Sequence, residues 1–161
     1  MSEPNMNESQ IRPAPIRPAP ILPFVVAPDD LDDPFWEGCA RHEFLVHRCS
    51  ECGRAYWPAS SCLDHGSASM RWEPASGAGT VFTYTVFHHA YDPRFADRIP
   101  YALAVVQLDE GPFFHTDILE CAADDVHVGM RVEVLYENVA DDLAIPHFRP
   151  ARDEQAASSS Q

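Results

Sequence analysis

The feature that most constrains this chain is Cys49-Ser-Glu-Cys52-Gly53, followed by Cys62-Leu-Asp-His65-Gly66. Two thiolates two residues apart, with a glycine permitting the tight turn, put both sulfurs on one side of a knuckle, where they can share a tetrahedral ion. The second knuckle repeats the spacing with an imidazole as the fourth donor. Nine residues separate Cys52 from Cys62, fewer than the ~15–20 of a two-knuckle ribbon, which leaves room for one compact hairpin, Arg54 to Ser61. Cys49, Cys52, Cys62 and His65 therefore form a candidate structural zinc set of three thiolates and one imidazole. The competing reading is an unligated ribbon held by packing. A catalytic zinc is disfavoured because four protein ligands leave no open position. A redox Cys-x2-Cys is disfavoured because no βαβ pattern surrounds it.

The remaining cysteines, Cys39 and Cys121, read as small buried hydrophobes. The total of five is odd, and MSEPNMNESQ has neither the basic start nor the apolar core of a secretory signal. A disulfide framework is thus not expected, and the cytoplasm is the expected location. No apolar run approaches the ~20 residues of a membrane span.

Asp32-Asp33-Pro34-Phe35-Trp36 opens a short helix, with an acidic cap residue and a proline in the first turn. It should run to about Arg41, anchored by Phe35 and Trp36. Phe44-Leu45-Val46 begins an extended stretch into Cys49. From Met70 onward the pattern is β, with candidate strands over 70–75, 79–91, 101–109, 113–120, 130–137 and 144–149. Phe82, Tyr84 and Val86 alternate with Thr83 and Thr85, the period-2 mark of a half-buried strand. Strands of uneven length with one long connection suit a small closed barrel better than a sandwich. The expected architecture is mainly β: an N-terminal helix and zinc ribbon over 29–69, then an OB-type barrel over 70–150.

Residues 1–28 hold seven of the fifteen prolines and the exact repeat IRPAP-IRPAP. Proline at this density favours an extended polyproline II arm. It reads either as a disordered tail or as a strap lying on a partner. Residues 151–161, ending QAASSSQ, read as a disordered tail.

Eleven Arg, no Lys and 25 Asp plus Glu give a net charge of −14. Such a chain repels phosphate backbones, which counts against nucleic-acid binding. The missing Lys excludes Schiff-base chemistry from this chain alone. His88-His89 and the pair His115 and Asp117, which share a strand face, could serve as acid–base groups. No nucleophile motif accompanies them, and polar strand-end or interface positions are the favoured reading. No catalytic residue is assigned.

The order of these features resembles the DUF35 family, made of a rubredoxin-like zinc ribbon and an OB-fold associated with acyl-CoA. The matching pieces are DPFWEGCARHEFLVHRCSECGRAYWPA, SSCLDHGS, GAGTVFTYTV, FADRIPYALAVVQLDEGP, VGMRVEVLYE and IPHFRP, together covering about residues 33–150. One position departs from the family: His65 stands where a fourth cysteine is usual, and a histidine ligand would preserve zinc.

The resemblance implies a non-catalytic subunit in a hetero-oligomer. The expected partner is a thiolase-fold, lipid-transfer-protein-type aldolase or thiolase acting on an acyl-CoA, with steroid or fatty acyl side chains among the candidate substrates. The alternatives are a partner of a MaoC-like enoyl-CoA hydratase or a ribbon/OB nucleic-acid binder, the latter opposed by charge. Under this resemblance, Arg94 and Arg98 in the long Asp92–Pro100 loop are candidate contacts for CoA phosphates, because a planar guanidinium engages phosphate in bidentate fashion. The competing reading is plain surface solvation beside Asp92 and Asp97. Tyr56-Trp57-Pro58 is a rival ligand site, with packing of ribbon to barrel or of subunit to subunit the favoured role.

Overall fold

Pro34 fixes φ at the first turn of a helix, where its missing N–H costs nothing, and α1 runs from Asp33 to Ala40. Asp32 sits at the cap, although its side chain makes no capping bond. Its carbonyl instead accepts the Phe35 and Trp36 N–H groups at 2.9 and 3.2 Å. The computed structural model describes residues 31–152 except 59 and 92. The proline-rich arm and nearly all of the C-terminal tail lie outside the described residues.

After α1 the chain enters a three-stranded antiparallel sheet, β2-β1-β3. Its strands are β1 (Leu45–Cys49), β2 (Ala55–Tyr56) and β3 (Met70–Pro74). β1 is central, with His47 opposite Tyr56 on one side and Trp72 on the other.

The rest is a closed barrel in the order β4-β5-β6-β8-β7. It comprises β4 (Ala78–Phe87), β5 (Tyr101–Leu108), β6 (Phe113–Ile118), β7 (Arg131–Ala140) and β8 (Leu143–Pro150). Neighbours are antiparallel except β6 and β8, which meet in parallel at Ile118 and Phe148. Closure comes from Ala78–Thr80 of β4 pairing with Arg131–Glu133 of β7. Along β5 the pleat alternates strictly: Ala102, Ala104, Val106 and Leu108 are buried inside, while Tyr101, Leu103, Val105 and Gln107 face out.

The first barrel strand, β4, is shorter than the expected 79–91. Its last pair is Phe87 with Tyr101, where β5 begins, so His88 and His89 have no strand beside them to join. The chain turns instead through a 3-10 turn, Pro93–Phe95. β6 likewise ends at Ile118 rather than at the expected 120, because Glu120 adopts a left-handed φ of 58° that breaks the ladder.

Ribbon and barrel meet through one aromatic cluster. Phe35, 1% exposed, lies 4.1 Å from the Trp57 ring, 5.6 Å from Phe44 and 6.3 Å from Phe114. Trp57 in turn lies 5.3 Å from Phe114 on β6. Such pairs contribute roughly 0.5–1.5 kcal/mol each beyond burial. Trp57 thus packs ribbon against barrel.

Candidate metal centre

Each knuckle is a tight turn closed by backbone bonds. In the first, the Gly53 N–H donates to the Cys49 carbonyl at 2.8 Å and the Cys49 N–H donates to the Arg54 carbonyl at 3.0 Å. In the second, Cys62 and Gly66 exchange bonds of 3.1 and 3.0 Å. Gly53 and Gly66 share a φ of +71°, the left-handed region where a side chain is disfavoured. The two motifs thus have one local shape, and the fold sets them face to face.

The result is a cluster of Cys49, Cys52, Cys62 and His65 whose donor atoms all lie within 4.8 Å of one another. Cys52 Sγ and Cys62 Sγ are 3.7 Å apart. His65 Nδ1 lies 3.5 Å from Cys49 Sγ and 3.6 Å from Cys62 Sγ. A tetrahedral zinc with Zn–S of ~2.3 Å and Zn–N of ~2.05 Å has S···S edges of about 3.8 Å and S···N edges of about 3.6 Å. The donor set fits that ion in number and chemistry, and these three edges match its lengths. Cys49 and Cys62 are buried, Cys52 and His65 exposed, so the site lies at the rim of the ribbon.

Surrounding groups favour thiolate at Cys62. The Tyr56 hydroxyl donates to its Sγ at 3.3 Å and is the chief reason the thiol is lowered to about 6, helped by the Asp64 and His65 amides against the opposing effect of burial. Tyr56 Oη accepts from Arg54 Nη1 at 3.2 Å, and Arg54 also pairs with Asp64 at 3.1 Å. The bond to Cys62, then that to Cys49, raises His65 above its ordinary range. At Cys52 the Arg54 amide pulls downward, but burial and the neighbouring thiols together move the group up. Four protein donors leave no position for a substrate, so the centre can brace the ribbon and cannot activate water.

The other sequence candidates lie elsewhere. Cys39, on the buried face of α1, is fully buried, and burial pushes its thiol up to about 12. Cys121 is half-buried, and burial raises it too. His115 is exposed on β6, two residues from Asp117, and the acid–base couple that the sequence reading disfavoured does not form. Asp117 pairs instead with Arg98 Nη2 at 2.9 Å and with His147 Nδ1. Burial pushes the Asp117 carboxyl up, yet the bond and charge of His147 and the charge of Arg98 outweigh it and hold the carboxyl below the usual range. His147 Nε2 reaches Glu137 at 3.2 Å. The sequence does not single out His147 or Glu137, and only the in–out alternation of β8 marks His147 as facing away from Phe148. Arg94 lies on the Pro93–Phe95 turn. Arg98, expected on an exposed loop, is 8% exposed, because the loop folds its guanidinium onto Asp117.

Comparison with known proteins places these features together. A family model described as the rubredoxin-like zinc ribbon domain of ChsH2 matches residues 36–66, and one described as the C-terminal OB-fold domain of ChsH2 matches residues 72–137. A "DUF35 domain-containing scaffold protein" of Methanocaldococcus jannaschii is 34% identical over 105 residues, covering 63% of this chain and 73% of that protein. A "Probable enoyl-CoA hydratase alpha subunit" of Thermomonospora curvata is 33% identical over 123 residues, covering 74% of this chain. This chain spans only 38% of that relative's length. Among solved structures, a chain of the "Ltp2-ChsH2(DUF35) aldolase" superposes with a TM-score of 0.68 at 30% identity, covering 77% of this chain and 97% of that one.

Proposed function

Because the chain belongs to the DUF35 family, with the zinc ribbon and OB-fold of ChsH2, we propose that it is a non-catalytic subunit binding and supporting a thiolase-fold, lipid-transfer-protein-type aldolase or thiolase. The observation that carries this reading is the 97% coverage of a chain from an assembly named as an aldolase: the match takes in nearly the whole of that chain. The reaction is carbon–carbon bond cleavage or formation on an acyl-CoA, with steroid or fatty acyl side chains as the substrate class. The partner supplies the catalytic groups. In keeping with that division, the cysteines of the ribbon form a closed donor set, Cys39 is buried, and the chain has no Lys.

In this reading Cys49, Cys52, Cys62 and His65 hold one structural zinc. Bound zinc fixes the two knuckles against each other, and the chain's own residues do the rest: Tyr56 orients Cys62, and Trp57 joins the ribbon to the barrel. Arg94 is the arginine we place against the phosphates of a shared CoA thioester, since Arg98 is already engaged by Asp117. The site of action is the cytoplasm.

A second reading rests on names borne by relatives. The Thermomonospora protein, and a Mycobacterium tuberculosis protein named "3-oxo-4,17-pregnadiene-20-carboxyl-CoA hydratase alpha subunit" at 29% identity, are called hydratase subunits. A partner of the MaoC-like hydratase class would follow. Co-expression with a thiolase-fold aldolase and, separately, with a MaoC-like hydratase decides between them. The proposal expects co-purification with the aldolase and cleavage of a β-hydroxyacyl-CoA by the pair only. Steady turnover by the isolated chain, or co-purification with the hydratase alone, would overturn it.

A further inference from the structure

All three tryptophans of the chain line one pocket of about 260 Å³ on the ribbon. Trp36 comes from α1, Trp57 follows β2 and Trp72 lies on β3. The buried Phe35 ring lies among them, 4.1 Å from Trp57, 5.3 Å from Trp36 and 6.2 Å from Trp72. Each indole packs on the core yet stays only partly buried. Tryptophan carries a large flat apolar surface, and taking the part these rings leave open out of water is favourable. Small-molecule sites run from ~300 Å³ upward, so this pocket suits a few apolar side chains.

Leu31 is the first described residue, and it lines this pocket. Its carbonyl accepts the Trp72 Nε1–H at 3.3 Å. Residues 1–30, which lie outside the described residues, are therefore tethered at the pocket rim. The apolar stretch nearest that tether is Ile21-Leu22-Pro23-Phe24-Val25-Val26-Ala27-Pro28. It carries no charge, and Phe24 is the one aromatic residue of 1–30. Phe24 stands seven positions before Leu31, a reach of up to about 23 Å, and Pro28-Asp29-Asp30 between them has the composition of a turn. Aromatic-lined grooves receive extended, proline-bearing segments, which lose little entropy because φ is already fixed. A short tether also supplies a local concentration on the order of 1 mM, so a contact of about 1 mM affinity is half occupied. The IRPAP repeat lies farther from Leu31 and carries Arg12 and Arg17, whose charges favour water over an apolar pocket.

We propose that this pocket is the docking site of the chain's own segment 21–28, with the Phe24 ring seated among Trp36, Trp57 and Trp72. The segment straps the ribbon beside the aromatic cluster that joins it to the barrel, and the repeat at 11–20 is left to an enzyme partner. The inference is independent of the zinc and CoA readings above.

The test uses the full chain, with Phe24→Ser as the variant and Ile16→Ser in the repeat as its control. Indole emission moves to the red, and quenching by acrylamide rises, as water reaches the rings, so both report on this pocket directly. Phe24→Ser should shift the emission to the red and raise the quenching constant about twofold, since emptying a half-occupied pocket doubles its open time. In 15N spectra the indole N–H signals of the three tryptophans should move with it. A synthetic peptide of residues 21–28 should return those signals toward their wild-type positions in Phe24→Ser, with a dissociation constant of about 1 mM. Ile16→Ser should change nothing, and the wild-type emission should not depend on protein concentration. Unchanged indoles in Phe24→Ser, an equal response to Ile16→Ser, or no response of the variant to the peptide would each overturn the proposal. A wild-type emission that shifts to the red on dilution would give the pocket to a second copy's segment and overturn it likewise.

Discussion

His65 Nδ1 and Cys49 Sγ lie 3.5 Å apart although they are sixteen positions apart in sequence. That contact joins the second knuckle to the first, and its length matches one edge of a zinc tetrahedron. The purified chain should therefore carry about one zinc. Because structural zinc contributes folding free energy directly, Cys49→Ser should lower both zinc content and melting temperature. His65→Cys should retain the metal, since four thiolates are an equally good closed set. Metal analysis of reduced, chelator-free protein together with thermal denaturation checks this, and zinc-free wild-type protein would count against it.

Asp117 is held below the ordinary carboxylate range in the folded chain, despite its burial, by His147 and Arg98. A depressed folded value means that its stabilisation is complete above the range where an unfolded aspartate titrates, near ~3.9, and is lost as pH falls through the folded value. Asp117→Asn leaves the buried Arg98 guanidinium without its carboxylate and should cost about 3 kcal/mol at pH 7. The wild-type and variant stabilities should converge in acid. Urea titrations from pH 7 to pH 3 measure the gap, and a gap that stays constant with pH would refute the linkage.

Phe35 touches Trp36, Phe44, Trp57, Trp72 and Phe114. Removing so large a buried ring opens a cavity among stiff neighbours, and Phe35→Ala should cost about 3–5 kcal/mol. Phe35→Leu should recover most of that loss. Denaturant midpoints of the two variants check the order.

The proline-rich arm yields a prediction that rests on sequence. Segments with φ already fixed lose little entropy on docking. Deleting residues 1–28 should leave a folded, zinc-loaded domain whose affinity for its enzyme partner falls at least several-fold. Isothermal titration of both forms against the same partner measures it, and equal affinities would make the arm a plain tail.

The metal cluster was legible because its geometry is local: each pair of ligands sits within four residues, and the glycine after each knuckle signals the turn. The barrel strands were legible in outline, but the alternation from Phe82 to Val86 did not mark a buried face: the register shifts between Val81 and Thr83, and Phe82 and Tyr84 are exposed. Strand ends were less so, because whether His88 extends β4 depends on a partner strand that starts only at Tyr101. The charged chain from Arg98 through Asp117 and His147 to Glu137 carried no linear signal. Its members come from four separate segments and meet only when β6 lies beside β8 and β8 beside β7. Strand parity placed His115 and Asp117 on one face, but not which neighbour Asp117 would choose.

Phe35 belongs to the helix, Trp57 to the ribbon and Phe114 to the barrel, and the three rings share one packed cluster. No boundary therefore exists along which the ribbon could melt while the barrel keeps its end covered. Unfolding of the two should be a single cooperative transition, with chelation reported by barrel amides far from the cysteines as promptly as by the ribbon itself.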